Sequence, residues 1–215
     1  MRDHAGVEQS GWAEITTADE LRALLGEPSA RVASKDRARL DDVHRRWLAA
    51  SPLCLVATSA DDGTCDVSPK GDPAGFALVL DDTTIALPER PGNRRADGYL
   101  NLLTNPHVGL LFLVPGRGDT LRVNGRARLV REAPFFDRMV VKGHRPLLAL
   151  VVDVEQVFFH CAKAFMRSAL WQPGTWEPDA VDSRAQIARR LERPDEPLAD
   201  LERYYGATYA DRLYR

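Results

Sequence analysis

Residues Leu121–Val130 constrain the fold more than any other stretch. Leu121, Val123, Ala127 and Leu129 fall on one side of an extended chain, with Arg122, Asn124, Arg126 and Arg128 on the other. That period of two belongs to a strand with one face in a core and one in water. Just before it, Val108–Val114 is almost wholly apolar and reads as a buried strand. Leu53–Ser59 is apolar and partly β-branched, and Asp61-Asp62-Gly63 closes it with a hairpin signal. Cys65–Ser68, Phe76–Leu80 and Thr84–Leu87 read as further strands, the last two joined by a turn at Asp81-Asp82, and a long strand region runs from Leu147 to Phe159. Strands joined by turns, with only one or two helices among them, predict a mainly β, α+β chain built on an antiparallel barrel.

Helical patterns flank these strands. Thr17-Ala18-Asp19-Glu20 has the form of a capping box ahead of Leu21, Leu24 and Leu25. Leu40, Val43, Trp47 and Leu48 have helical spacing within Ser34–Ala50, and Pro52 ends the pattern. Short helices are expected over Pro134–Val141 and Ala162–Leu170. Two more are expected near Ser183–Glu192 and Leu198–Tyr205, separated by the Pro-rich link Arg193–Pro197. The organisation expected is a helical extension over 1–50, a barrel domain over 51–170, and a helical tail over 171–215 packed on the barrel or on a second subunit. No period suggests repeats.

Composition narrows the function classes. The 215 residues suffice for one domain with a sizeable core. A formal net charge of −2 provides no global basic field, so no nucleic-acid partner is expected and any anion site must be local. No apolar run approaches the roughly 18–20 residues of a membrane span, and MRDHAGVEQSGW lacks the layout of a signal peptide. Cys54, Cys65 and Cys161 are an odd count without C-x-x-C spacing, which predicts free thiols in a reducing, cytoplasmic setting.

The chemistry-bearing feature is Asn93-Arg94-Arg95. Asn93 is a good N-cap, and Ala96, Tyr99, Leu100 and Leu103 follow at helical spacing, which predicts a helix from Arg94. Two arginines at the positive end of a helix dipole are awkward unless an anion sits there, and a phosphate held bidentately would satisfy them. The alternative is a solvated pair, or one that meets Glu89 and Asp97. Pro88, Pro91 and Gly92 stiffen the approach and let the backbone come near a ligand.

Other motifs are weaker. Ser68-Pro69-Lys70-Gly71-Asp72 places a lysine between a strand and a turn. Gly116-x-Gly118 lacks the third glycine of a dinucleotide fingerprint and precedes a strand, and Arg117-Gly118-Asp119 reads as a hairpin tip. His160-Cys161 has no second ligand pair at a useful spacing, so a structural His beside a buried thiol is expected and no metal site. No nucleophile elbow or P-loop occurs. The segment HCAKAFMRSALW (160–171) gathers Lys163, Arg167, Ser168 and Trp171 after the last strand.

In this order, DVSPKGDPAGF (66–76), IALPERPGNRRADGYLNLLTNPHVGLLFLVPG (85–116) and TLRVNGRARLV (120–130) resemble the pyridoxamine 5′-phosphate oxidase-like flavoproteins. The resemblance covers roughly residues 50–170. It implies an FMN-binding split β-barrel of Greek-key type and a homodimer with the cofactor at the subunit interface. It also implies an oxidoreductase passing hydride or electrons between the flavin and a small molecule. Asn93, Arg94 and Arg95 fall where such proteins bind the FMN phosphate, often with Ser-Arg-Lys. Ser68, Pro69 and Lys70 fall on the strand that faces the isoalloxazine and phosphate, and Thr120 and Arg122 on the strand that meets the pyrimidine edge. Lys163, Arg167, Ser168 and Trp171 fall where a segment reaches the flavin of the other subunit. After Trp171 the chain departs from the true oxidases, so oxidation of pyridoxamine phosphate itself is not expected. Relatives of this fold that use the deazaflavin F420 or haem, or that hold flavin without turnover, define the alternatives.

Overall fold

The computed structural model describes residues 11–214. Residues 1–10, which make up most of the stretch judged for a targeting signal, lie outside the described residues, as does Arg215. The chain divides into two compact units, 1–36 and 37–215. In the first, α1 (Ala18–Leu25) starts at the expected capping box, the Thr17 hydroxyl accepting from Glu20 N and the Glu20 carboxylate accepting from Thr17 N. A single turn, α2 (Ala30–Ala33), follows, and neither helix has a buried residue.

The second unit opens at Arg37 and continues into α3 (Asp42–Ala50). It contains β1 (Leu53–Ser59), β2 (Cys65–Gly71), β3 (Leu78–Val79), β4 (Thr84–Pro88), α4 (Asp97–Thr104), β5 (His107–Leu113), β6 (Thr120–Val130) and β7 (Ala149–His160). Three short helices close it: α5 (Lys163–Arg167), α6 (Arg184–Leu191) and α7 (Leu198–Tyr204). All strand pairings are antiparallel and make one sheet in the order β2-β1-β5-β6-β7-β4-β3. This is a split barrel of the α+β class with helical extensions.

The pattern on β6 is realised as expected: Leu121, Val123 and Ala127 are buried and Arg122, Arg126 and Arg128 are exposed. With Val56, Leu110, Phe112, Leu87, Val152 and Val157 they form the barrel core. A second cluster, Ala86, Phe136, Met139, Ala149 and Val151, fills the other face of β4 and β7 beneath the 3₁₀ turn Pro134–Met139. A third, Ala185, Ala188 and Leu201 with Tyr205, holds α6 to α7.

Several expectations need correction. The helix expected over Ser34–Ala50 begins only at Asp42, because β7 needs a partner. β4 covers β7 only between Ala149 and Asp153, and the rest of that edge would be bare. Arg37 fills part of it, donating its N–H to Val157 O (3.0 Å) and accepting from Val157 N (2.8 Å). The strand expected over Phe76–Leu80 pairs only at Leu78 and Val79, while Phe76 and Ala77 are buried outside any ladder. None of the three cysteines forms a disulfide, but Cys161 is exposed rather than buried, and Cys54 is the buried thiol. Burial pushes the Cys54 pKa far above its ordinary value.

α3 carries a titratable cap. The Asp41 carboxylate accepts from Val43 N (3.1 Å), and Asp41 N donates to His44 Nδ1 (3.0 Å), so His44 occupies the capping-box position usual for Glu or Gln. Burial lowers the His44 pKa, Asp41 opposes that shift, and Arg37 adds to it. A proton on Nδ1 would turn that acceptor into a donor facing the Asp41 N–H and break the cap. The stabilisation is therefore full above the unfolded histidine value of about 6.5 and is lost as pH falls through the lower folded value. Lowering the pH through this range should therefore cost the wild type some of its denaturant-measured stability, at most the roughly 1 kcal/mol that such a cap contributes. His44→Gln, which keeps the acceptor, should flatten that slope; an unchanged slope would assign the pH dependence elsewhere.

Candidate functional site

The barrel is open where its two end strands approach each other. β3 pairs with β4 only at Ala86 and Ile85, so Leu87 and Pro88 have no ladder partner on that side among the described residues. β2 is the other end of the sheet. Side chains rather than hydrogen-bonded strands close this gap. Lys70 Nζ meets Glu89 Oε2 at 2.7 Å, and Arg90 Nε meets Asp72 Oδ2 at 2.6 Å. The Asp72 side chain is only 1% exposed, so this carboxylate depends on its partners. The Arg90 guanidinium also donates to Met139 O (2.6 Å) and His144 O (3.3 Å).

Between the edges lies a cleft of about 750 Å³, within the range of small-molecule and cofactor sites. Its walls are β2 from Asp66 to Gly71, the loop 88–96, the first turn of α4, and Leu213 with Tyr214. Ser68, Pro69, Lys70, Asn93, Arg94 and Arg95 are thereby brought together.

The local geometry around the arginines differs from the expected one. Asn93 does not cap a helix; its Oδ1 accepts from Arg95 N (3.1 Å) in a tight turn. α4 begins at Asp97, and its N-cap is Ala96, which supplies no side-chain cap. Arg94 (φ 61°) and Ala96 (φ 58°) both adopt the left-handed conformation, a strained choice for residues other than glycine. The arginines thus stand ahead of the helix rather than in its first turn. Asp97 takes the first-turn place that suits an acid. Arg95 Nε pairs with Asp97 Oδ2 at 2.7 Å, whereas Arg94 has no polar partner among the described residues.

The start of α4 is seated by small and polar groups. A Cβ on Gly98 would lie 3.2 Å from Thr58 Oγ1, so glycine lets the helix settle onto β1. Asn101, buried one turn on, donates to Thr58 Oγ1 (3.1 Å) and Asp66 Oδ2 (2.8 Å). The Tyr99 hydroxyl makes a short hydrogen bond to Glu89, and the Lys70 ammonium lies 4.6 Å from the centre of the Tyr99 ring. Burial, then the hydrogen bond to Glu89 and its charge, push the Tyr99 phenol far above its ordinary pKa. It remains a neutral donor.

The charges lining the cleft balance: Asp66, Asp72, Glu89 and Asp97 stand against Lys70, Arg90, Arg94 and Arg95. Lys70 and Arg90 are committed to carboxylates across the split. Arg94 is free for an anion, and Arg95 is held only by an exposed pair of the kind worth ~0–1 kcal/mol. The start of α4 has no side-chain cap, and Ala96, Asp97 and Gly98 line the same cleft. The site can therefore take one compact anion at Asn93–Gly98, with neutral donors and compensated charges around the rest of the ligand.

The remaining candidates lie outside this cleft. Thr120 is buried on β6 opposite His160. Arg122 is exposed, donates to Asn124 Oδ1 (3.0 Å), and borders a shallower groove of about 410 Å³ on the outer face of the sheet. Asp66 and Val67 border both hollows. Lys163, Arg167 and Ser168 are exposed on and just after α5. Trp171 is fixed by donating Nε1 to Arg117 O (2.7 Å) and by stacking on Phe165. Sequence reasoning missed Asp66, Arg90, Tyr99 and Tyr214 as cleft residues. Tyr99 had a signal for the core, not for the site, since its spacing also fits the inner face of α4.

The sequence profile of the pyridoxamine 5′-phosphate oxidase family matches residues 40–161. No curated protein matches the chain. Among solved structures it is similar to HupZ of Group A Streptococcus at 18% identity, covering 56% of this chain and 93% of that one with a TM-score of 0.45. It is similar to a candidate pyridoxamine 5′-phosphate oxidase of Lactobacillus delbrueckii at 21% identity, covering 58% and 98% with a TM-score of 0.45. It is also similar to an F420 reductase at 18% identity, covering 56% and 98% with a TM-score of 0.39. The profile match spans more than half of the chain and takes in α3, the whole split barrel and all of the cleft lining except Leu213 and Tyr214, so the protein belongs to the pyridoxamine 5′-phosphate oxidase family.

Proposed function

We propose that the protein binds FMN in the cleft at the barrel split and acts as a flavin-dependent oxidoreductase on a small molecule. The observation that carries this reading is the Asn93–Gly98 turn, where Arg94, Arg95 and the open start of α4 converge on one cleft wall. That donor set suits a phosphate monoester. Of the side chains that ligate haem iron, the cleft lining among the described residues offers only Tyr99 and Tyr214, whose hydroxyls are bonded to Glu89 and Asp72, which favours a flavin over haem.

When bound, the flavin supplies the redox chemistry, accepting or passing on a hydride or electrons. The chain supplies position and charge. Arg94 and Arg95 neutralise the phosphate, Arg95 turning from Asp97 to do so. Glu89 keeps Lys70 aimed across the split and cancels part of its charge, while Tyr99 holds Glu89 in place. Ser68 and Pro69 line the wall beside them. In a homodimer, Lys163, Arg167, Ser168 and the fixed Trp171 ring would reach the site of the partner subunit. Thr120 and Arg122 lie outside the cleft of their own chain, so β6 would meet a flavin only across a subunit interface. A cytoplasmic setting accords with cysteines outside any disulfide, and no helix among the described residues is long and apolar enough to cross a membrane.

The purified protein is expected to be yellow, to show a flavin absorption spectrum, and to release a compound with the mass of FMN on denaturation. Reduction by NAD(P)H followed by reoxidation by oxygen or a quinone would establish turnover. A cofactor with the mass of F420, a Soret band, or a colourless protein that takes up no FMN would overturn the assignment. A yellow protein that is neither reduced nor reoxidised would make it a flavin-holding module.

A further inference from the structure

The cleft has a wall from a distant part of the chain. After α7, Tyr204, Tyr205 and Tyr209 pack ring against ring and anchor a 3₁₀ turn, Ala207–Arg212, which delivers Leu213 and Tyr214 to the lining that includes Arg94 and Arg95. Tyr214 is fixed on several sides. Its hydroxyl donates to Asp72 Oδ1 at 2.5 Å, while the other Asp72 oxygen accepts from Arg90. Its ring stacks on His144 at 5.9 Å, with the Arg90 and Lys142 cations 5.6 and 5.5 Å from its centre.

The Asp72 carboxylate is almost wholly buried, so each of its two partners matters to its solvation. The guanidinium that braces the split thus also braces the segment crossing it. A latch of this kind ties the position of Leu213 and Tyr214 to the state of the two barrel edges.

We propose that Leu213 and Tyr214 form a ligand-contacting strap, latched to Asp72, that closes one side of the cleft over a phosphorylated flavin and limits its escape. The inference rests on the reading of the cleft as an FMN site. It adds two contact residues, one of them a hydrogen-bonded latch, from a segment outside the matched family region.

The test uses the full chain as wild type, Tyr214→Phe, and the double variant Leu213→Ala/Tyr214→Ala. FMN release is followed by the recovery of flavin fluorescence, and strap mobility by the rate of tryptic cleavage after Arg212 with and without FMN. In the wild type, saturating FMN should slow that cleavage about tenfold or more. Tyr214→Phe should speed cleavage of the FMN-free protein several-fold, because one charge-assisted hydrogen bond is lost. The double variant should release FMN about tenfold faster while remaining folded, losing stability only by what the latch to Asp72 contributes, since both side chains lie outside the core clusters. Release and cleavage rates identical across the three proteins, with FMN bound to all, would overturn the strap and leave the FMN site standing. No uptake of FMN by the wild type would overturn the functional reading and with it the ligand assigned to the strap.

Discussion

Replacing Arg94 and Arg95 together with alanine is expected to weaken FMN binding by roughly a hundred- to ten-thousandfold, so that the variant purifies colourless. The range follows from two charge-assisted contacts to phosphate, each worth about 1.5–3 kcal/mol. The two should not contribute equally. Arg94 has no polar partner to give up, whereas Arg95 must leave Asp97, at a cost of ~0–1 kcal/mol for an exposed pair. Arg94→Ala alone should therefore lose more affinity than Arg95→Ala alone. Asp97→Ala should tighten FMN several-fold by freeing Arg95 and removing a like charge from beside the phosphate. Riboflavin, which lacks the phosphate, provides the internal control, because the preference for FMN over riboflavin should collapse in the double variant. The fold should survive, since residues 91–96 are all exposed and hold no core contact. Unchanged flavin content after purification would show that the anion site lies elsewhere.

The barrel was legible because strands announce themselves by period. β5 and β6 follow directly from the apolar run 108–114 and the alternation after Leu121. Helix starts were less legible where one residue type serves two local structures. Asn93 fits an N-cap, but the same side chain closes a tight turn onto Arg95 N, and two left-handed residues postpone the helix to Asp97. The electrostatic difficulty of arginines in a first turn was a real signal: the chain avoids it by placing Asp97 there. Long-range closure left no trace in local patterns. Whether Lys70 meets Glu89, or Asp72 meets Tyr214, depends on which strands end the sheet and how far β3 extends, and no window of sequence carries that. The shortened second helix has the same origin, since the bare edge of β7 exists only once β4 is known to begin at Thr84, opposite Asp153.

The largest effect on stability should come from Gly125→Ala, although Gly125 looks like one more inward position of an alternating strand. The β6–β7 ladder slips there: Asn124 faces Gln156 and Gly125 faces Val154, leaving Glu155 as an extra residue in a bulge. The bulge drives the β7 backbone onto Gly125, where a Cβ would lie 2.0 Å from Asp153 O and 3.0 Å from its carbonyl carbon. No rotamer relieves that contact, because the obstacle is main chain. Asp153 is also pinned from both sides, opposite Arg126 on β6 and Thr84 on β4. Accommodating one methyl group would mean separating β6 from β7 at the centre of the sheet. The expected cost exceeds about 4 kcal/mol, or a fall in melting temperature of roughly 10 °C or more for a chain of this length. Gly109→Ala makes the matched control. Its Cβ would meet Asn124 Oδ1 at an ordinary 3.6 Å, so that variant should melt close to the wild type. If Gly125→Ala instead unfolds within a few degrees of the wild type, the bulge is not a fixed feature. The consequence reaches the site, since the same slip sets how Asn124 meets Gln156 and Arg122 across the outer groove that Asp66 and Val67 share with the cleft.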